Sequence, residues 1–272
     1  MSYDPAVALD FFRSAGTPVA VPKSKVVFSE KEGKKSFFGT VNNKIYYLVD
    51  GEVTLLAGSK TIGTVKPGEI FGELAAITNA PRTATAMAKT DCSVIGLDHE
   101  QFELGLSAKP TFALMLMSLL IARLRESIAR LTAAGSLGEG AGLHESAAFD
   151  AERLSELVSG LANDPPIYYQ QGRQIVAEGS KAVLMYAVVK GRVAISIGGK
   201  LVERLGPGGA FGEAALVEQV PRMASATAET DCELQPINRQ AFLSLVKSTP
   251  QFASGVLASL AERLRFLTER LK

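Results

Sequence analysis

The 272-residue chain has only two cysteines and two histidines, and its formal charge is close to zero. Each scarcity removes a class of function. Cys92 and Cys232 are too few for a disulfide framework, and the matching contexts TDCSV and TDCEL suit buried thiols on equivalent strands better than a redox pair. His99 and His144 lie far apart in sequence with no Cys or Asp cluster at metal spacing, so no metal site is expected. No nucleophile with a base and an orienting partner can be picked out, so no catalytic residue is expected. A net charge of +1, from 29 Lys and Arg against 28 Asp and Glu, gives no global electrostatic reason to bind nucleic acid or an anionic membrane. The most apolar run, Phe112 to Ala122, is too short to span a bilayer, and the first residues lack a basic and then apolar leader. Together these point to a cytoplasmic protein.

What is present is a repeat. A composition of 47% hydrophobic and 21% charged residues is that of a folded globular chain long enough for two domains. Adding 140 to the numbering carries Tyr46 to Tyr186, Gly51 to Gly191, Phe71 to Phe211, Arg82 to Arg222, Cys92 to Cys232 and Arg123 to Arg263 without a gap. Phe71 to Cys92 and Phe211 to Cys232 share 12 identities in 22 positions, so the chain is a duplication. A period that long is a whole domain, and each copy should bury its own core. Segments such as KIYYLVDGEVTLLAG and VLMYAVVKGRVAISIGG, rich in Val, Ile and Tyr and broken by Gly, predict short antiparallel strands. After Asp98 and Asn238 the spacing becomes helical, with Pro110 and Pro250 separating a short helix from a long one. The small, glycine-rich stretch AGSLGEGAG reads as a connection. The expected organisation is therefore a domain at 1–133, a linker at 134–148 and a domain at 149–272.

The most informative segment is FGELAAITNAPRTATA, repeated as FGEAALVEQVPRMASA. Gly72 lets backbone approach a ligand, and a short helix opening at Glu73 turns free N–H groups outward, which makes a seat for an anion. Arg82, stiffened in its approach by Pro81, offers a fork of donors suited to phosphate. Glu73 cannot hold a phosphate, but it can accept hydrogen bonds from a neutral hydroxyl such as a ribose 2′-OH. A cyclic nucleotide presents both groups within a few ångströms.

The pattern F-G-E-x-A-x(5)-P-R-x-[AS]-[ST], at 71–85 and 211–225, resembles the phosphate-binding cassette of the cyclic nucleotide-binding domain family. That family includes kinase regulatory subunits, gated channels and the bacterial catabolite activator protein. The resemblance covers nearly all of both copies. It implies an α+β, mainly β fold: two β-jelly rolls flanked by helices, each closed by a long C-terminal helix. It implies that Arg82 and Arg222 hold the cyclic phosphate and that Glu73 and Glu213 hold the ribose hydroxyl. Backbone donors are expected near Gly72, Leu74 and Thr83, and near Gly212, Ala214 and Met223. A hydroxyl after the arginine accompanies cGMP response in the family, so Thr83 admits cGMP at site one, with cAMP the expected ligand overall. Ser127 and Thr268, on the closing helices, are the weaker candidates for a base contact.

Copy two has AEGSKAVLMYAVVKG, whereas copy one has FFGTVNNKIYYLVDG without the Glu-Gly step, so a remodelled hairpin is expected in copy one. No kinase, channel or helix-turn-helix sequence accompanies the copies, which assigns the output to an unknown effector protein. The leucine seams Met117, Leu120, Leu124, Ile128 and Leu131, and Leu257, Leu260, Leu264, Leu267 and Leu271, could pair within one chain as a monomeric pseudo-dimer or between chains as a homodimer. The alternative reading is a scaffold whose domains keep the fold and bind no nucleotide.

Overall fold

The computed structural model describes residues 3–32, 43–135, 146–181, 183–217 and 221–270. His144, Leu271 and most of the expected linker lie outside the described residues. The chain divides into two compact units, Asp4–Phe112 and Ala113–Lys272.

In the first unit α1 (Pro5–Ala15) is followed by β1 (Pro18–Val21), β2 (Val26–Phe28), β3 (Ile45–Asp50), β4 (Val53–Ala57), β5 (Lys60–Val65) and β6 (Ile70–Phe71). Then come α2 (Glu73–Thr78), β7 (Thr85–Ala88), β8 (Cys92–Leu97), α3 (His99–Ala108) and the start of α4 (Thr111–Ala133). The strands form two antiparallel four-stranded sheets, β1-β8-β3-β6 and β2-β7-β4-β5. Leu48, Val53, Phe71, Ala86 and Val94 fill the space between them, and alternate residues on β7 and β8 turn inward as a period of two requires. Asp98 caps α3, with Gln101 completing a capping box.

The second unit takes up the rest of α4 and continues with α5 (Ala151–Gly160), β9 (Ile167–Tyr169), β10 (Gln174–Val176), β11 (Leu184–Lys190), β12 (Val193–Ile197), β13 (Lys200–Leu205) and β14 (Ala210–Phe211). It ends with α6 (Ala214–Val217), β15 (Ser225–Ala228), β16 (Cys232–Asn238), α7 (Arg239–Ser248) and α8 (Pro250–Glu269). Its sheets, β9-β16-β11-β14 and β10-β15-β12-β13, reproduce the order of the first. Pro250 opens α8, where its missing N–H costs nothing. Both units are β-jelly rolls flanked by helices.

Two glycine positions explain why the repeat is so visible. Gly51 and Gly191 turn with φ of +91° and +83°, and a Cβ there would lie 2.4 and 2.1 Å from the carbonyls of Asp91 and Asp231. Cys92 and Cys232 sit against the same turns as buried free thiols, donating to the carbonyls of Glu52 and Arg192.

The stretch of copy one for which a remodelled hairpin is expected, residues 37–42, lies outside the described residues, but the residues on either side can be compared between the copies. Upstream of it the offset between copies is 148, since Phe28 opposite Ala86 matches Val176 opposite Ala226. Downstream it is 140, so copy one carries eight more residues between β2 and β3. Glu30 and Lys31 fill the places of Glu178 and Gly179: both glutamates accept from a glycine amide, of Gly58 at 2.7 Å and of Gly198 at 2.9 Å. Lys31 adopts φ of +65°, matching +77° at Gly179.

Among the described residues no single helix is long and apolar enough to cross a membrane. The bent pair α3 and α4 passes that test only jointly, and Phe112 to Met117 of α4 are buried.

Candidate functional site

Each cassette begins where a sheet edge ends. Phe71 and Phe211 close β6 and β14, and the next residues, Gly72 and Gly212, turn with φ of +73° and +84°. A Cβ at these glycines would stand 2.7 Å from Arg82 Nη1 and 2.3 Å from Arg222 Nη1, so the turn needs glycine for both its dihedral and its space. Glu73 starts α2, Glu213 immediately precedes α6, and both carboxylates are buried.

The arginines are held alike. Arg82, 4% exposed, donates from Nη1 to the Gly72 carbonyl and from Nη2 to the Lys44 carbonyl, both at 2.7 Å. Arg222, 8% exposed, donates from Nη1 to Gly212 at 3.0 Å and from Nη2 to Leu184 at 2.6 Å. The backbones are pinned too: the Arg82 amide donates to Glu32 and its carbonyl accepts from Lys31, as Arg222 does with Ser180 and Gly179. In both, Nε is buried and has no hydrogen-bond partner among the described residues. Burial pulls both guanidinium pKa values below their ordinary range, partly offset by Tyr46, Glu32 and Glu73 around Arg82 and by Tyr186 and Glu213 around Arg222. A buried cation with an unspent donor is what an anion would stabilise, because it satisfies Nε and offsets the desolvation together.

In the second unit the geometry extends into a cavity. Gly212 to Ala215 and Arg222 line one part of it, and Ile121, Leu124 and Ile128 of α4 with Leu260, Phe266 and Leu267 of α8 line another. A long helix that the duplication assigns to copy one thus walls the site of copy two. Arg125 of the same helix donates from Nε to Met223 Sδ at 3.1 Å. Glu213 accepts from Arg263 Nη1 at 2.6 Å, and Arg263 also donates from Nε to both Glu203 oxygens at 3.0 Å. Burial would lower the pKa of Arg263, but the two carboxylates more than compensate and raise it.

The remaining sequence candidates divide. Leu74 and Ala214 are half-buried beside the glycine turns, Met223 lines the cavity, and Thr83 is exposed. Ser127 is buried on α4 without lining the cavity of site two, where its neighbours Leu124 and Ile128 do. Thr268 does not line it either; its hydroxyl donates to the Leu264 carbonyl one turn earlier, at 2.7 Å. Arg263 and Glu203 were not among the candidates. The identity of Arg123 with Arg263 marks the first, whereas Glu203 has Gly63 at its place in copy one and leaves no trace in the repeat. His99 pairs with Glu103 across one turn, and among the described residues no group of His, Cys, Asp or Glu could hold a metal ion.

Comparison with known proteins bears on the same elements. The profile of the cyclic nucleotide-binding domain family matches residues 19–107 and 166–249. The chain belongs to this family, twice over. The cAMP-dependent protein kinase regulatory subunit of Eremothecium gossypii is 29% identical over 203 residues, covering 74% of this chain and 40% of that protein. The cyclic AMP receptor protein of Thermus thermophilus is 37% identical over 102 residues, 36% of this chain and 47% of that one. The cGMP-dependent protein kinase of Toxoplasma gondii is 27% identical over 227 residues, 82% of this chain and 19% of that one. The chain spans less than half the length of each of these relatives. Its two cyclic nucleotide-binding domains stand in tandem, each with its own arginine and glutamate.

Proposed function

We propose that the chain is a cytoplasmic sensor with two cyclic nucleotide sites, taking cAMP and, at site one, also cGMP, and signalling to an effector protein through its closing helices. The reading rests on one observation made twice: a buried arginine whose two terminal nitrogens rest on backbone carbonyls while Nε has no partner among the described residues. A cyclic phosphate suits that donor, and a ribose hydroxyl suits the buried glutamate beside it. The division into copies 1–133 and 149–272 joined by 134–148, and the choice between a pseudo-dimer and a homodimer, belong to the same proposal. No catalytic step is assigned to the chain itself. The relatives that are kinase regulatory subunits favour a kinase catalytic partner as effector.

Calorimetric titration of the purified chain with cAMP and with cGMP tests this directly. Two cAMP molecules per chain are expected, with Arg82→Ala and Arg222→Ala each removing one. Absence of heat for both nucleotides would favour the second reading, a scaffold. What supports that reading is that the carbonyls of Gly72, Lys44, Gly212 and Leu184 already engage both guanidinium forks, which a purely structural arginine would also do.

A further inference from the structure

Behind Glu213 runs a buried polar chain that phosphate and ribose recognition leave unexplained. Arg263 bridges Glu213 and Glu203, and its Nη2 donates to the Ala210 carbonyl. Glu203 in turn accepts from Ser146 Oγ at 2.8 Å, and Ser146 Oγ lies 3.2 Å from Ser259 Oγ. Ser146, Glu203, Glu213 and Ser259 are each 7% exposed or less. Ser146 begins the described stretch that precedes α5, and that stretch is built into the domain. The Ala148 and Phe149 amides both donate to the Gly208 carbonyl, at 2.9 and 3.0 Å. Phe149 stacks on Phe252 with ring centroids 5.0 Å apart. Two glycines clear its path: a Cβ at Gly208 would lie 2.0 Å from the Phe149 carbonyl oxygen, and one at Gly255 2.3 Å from that of Ala148.

We infer that Glu203 and Ser146 are positioning residues for Glu213, acting through Arg263, and that occupancy of site two is read out in the docking of residues 146–149. The inference rests on Glu213 being the ribose acceptor of site two. Arg263 divides one guanidinium between two carboxylates. Glu203 draws it back from Glu213 and so leaves carboxylate capacity for the ligand hydroxyl. A ribose hydroxyl donating to Glu213 competes with Arg263 Nη1, which shifts the arginine towards Glu203 and changes the hydrogen bond that Ser146 makes there. Coupling of this kind acts in both directions, so loosening the 146–149 segment must alter affinity at site two. Copy one lacks the device at this position, because the strand partner of Leu55 is Gly63 where the partner of Ile195 is Glu203.

The test uses the full chain carrying Arg82→Ala, so that cAMP heat reports site two alone, with hydrogen exchange of the Ala148 and Phe149 amides followed alongside. Without further change, cAMP is expected to alter exchange at both amides. Glu203→Gln should weaken cAMP binding by about tenfold, the scale of a lost charge-assisted bond, and Glu203→Asp should recover part of that loss. Ser146→Ala should abolish the ligand-induced change in exchange while cAMP still binds. A residue that only stabilised the fold would not separate binding from exchange in this way. If Glu203→Gln and Ser146→Ala bound cAMP as the parent does and kept its exchange response, the inference would be overturned with the nucleotide reading intact. No cAMP heat in the Arg82→Ala parent, with heat in the unaltered chain, would place the only working site in copy one and overturn the inference. No heat in either would overturn both readings.

Discussion

Copy one holds Arg82 beneath an aromatic ring: its guanidinium carbon is 4.1 Å from the centroid of Phe28, and Phe28, Tyr46 and Phe71 stack beside it. Copy two has Val176 at the place of Phe28 and keeps only the Tyr186–Phe211 part of that stack. It adds Glu203 behind Arg263 and a wall from α4. The same cassette is therefore supported in two ways. In copy one a cation–π contact worth about 0.5–2 kcal/mol steadies the arginine, whereas in copy two the added support falls on the glutamate. Duplication preserved the groups suited to touching a ligand and let the layer behind them diverge.

The arginines offer the largest way to break this comparison. Truncating one member of a desolvated charge pair costs ~2–5 kcal/mol, which at ~1.4 kcal/mol per decade is roughly 30-fold to several-thousand-fold in affinity. Arg82→Ala is expected to silence site one, and Arg222→Ala to silence site two, each read as the loss of one calorimetric binding event. If an alanine left its own site unchanged, the assignment of phosphate to that arginine would be wrong.

The α4 wall comes next. Ile128 is half-buried and lines the cavity of site two, so Ile128→Ala removes apolar contact with little damage to the core. Affinity at site two should fall about tenfold, the scale of a few methylenes lost from an apolar pocket. Equal weakening of both sites would mean that α4 acts on the chain as a whole rather than as a wall of one site.

These two experiments also mark what the sequence could convey. Arg82 and Arg222 were legible because they recur in a cassette whose spacing is fixed by one glycine turn and one proline. Strands and helices were legible because the hydrophobic period changes after Asp98 and Asn238, where a capping side chain starts each helix. The wall was not legible. Which long helix lies over which cavity depends on contacts about a hundred residues apart, such as Arg125 with Met223. Glu203 was hidden for the opposite reason, since comparing the copies finds what they share, and Glu203 is what they do not. Thr268, a base-contact candidate by its place on the closing helix, gives its hydroxyl proton to the carbonyl one turn back, a local bond that a helical threonine can make and that no sequence pattern discloses.

Thr83 and Met223 give a smaller contrast. A hydroxyl bonded to a ligand contributes about 0.5–1.5 kcal/mol, or roughly twofold to tenfold. Thr83→Ala should weaken cGMP by about that much at site one and leave cAMP nearly unchanged. Equal loss for both nucleotides would remove the hydroxyl as a source of base preference.

The smallest effect sits on the backbone that fixes the two arginines. Lys31 donates its amide to the Arg82 carbonyl from a left-handed conformation, and Gly179 does the same for Arg222. For any residue with a Cβ that conformation costs about 1–2 kcal/mol, whereas glycine adopts it freely but loses more entropy on folding. Lys31→Gly should therefore leave the amide contact intact and stabilise copy one by no more than about 1 kcal/mol. Gly179→Ala should cost copy two about 1 kcal/mol through the dihedral alone, because nothing lies within 4 Å of a Cβ built there. Urea unfolding of the two variants reads both shifts. If Gly179→Ala unfolded at a higher urea concentration than the unaltered chain, the left-handed turn would not be the constraint that the eight-residue insertion of copy one has preserved.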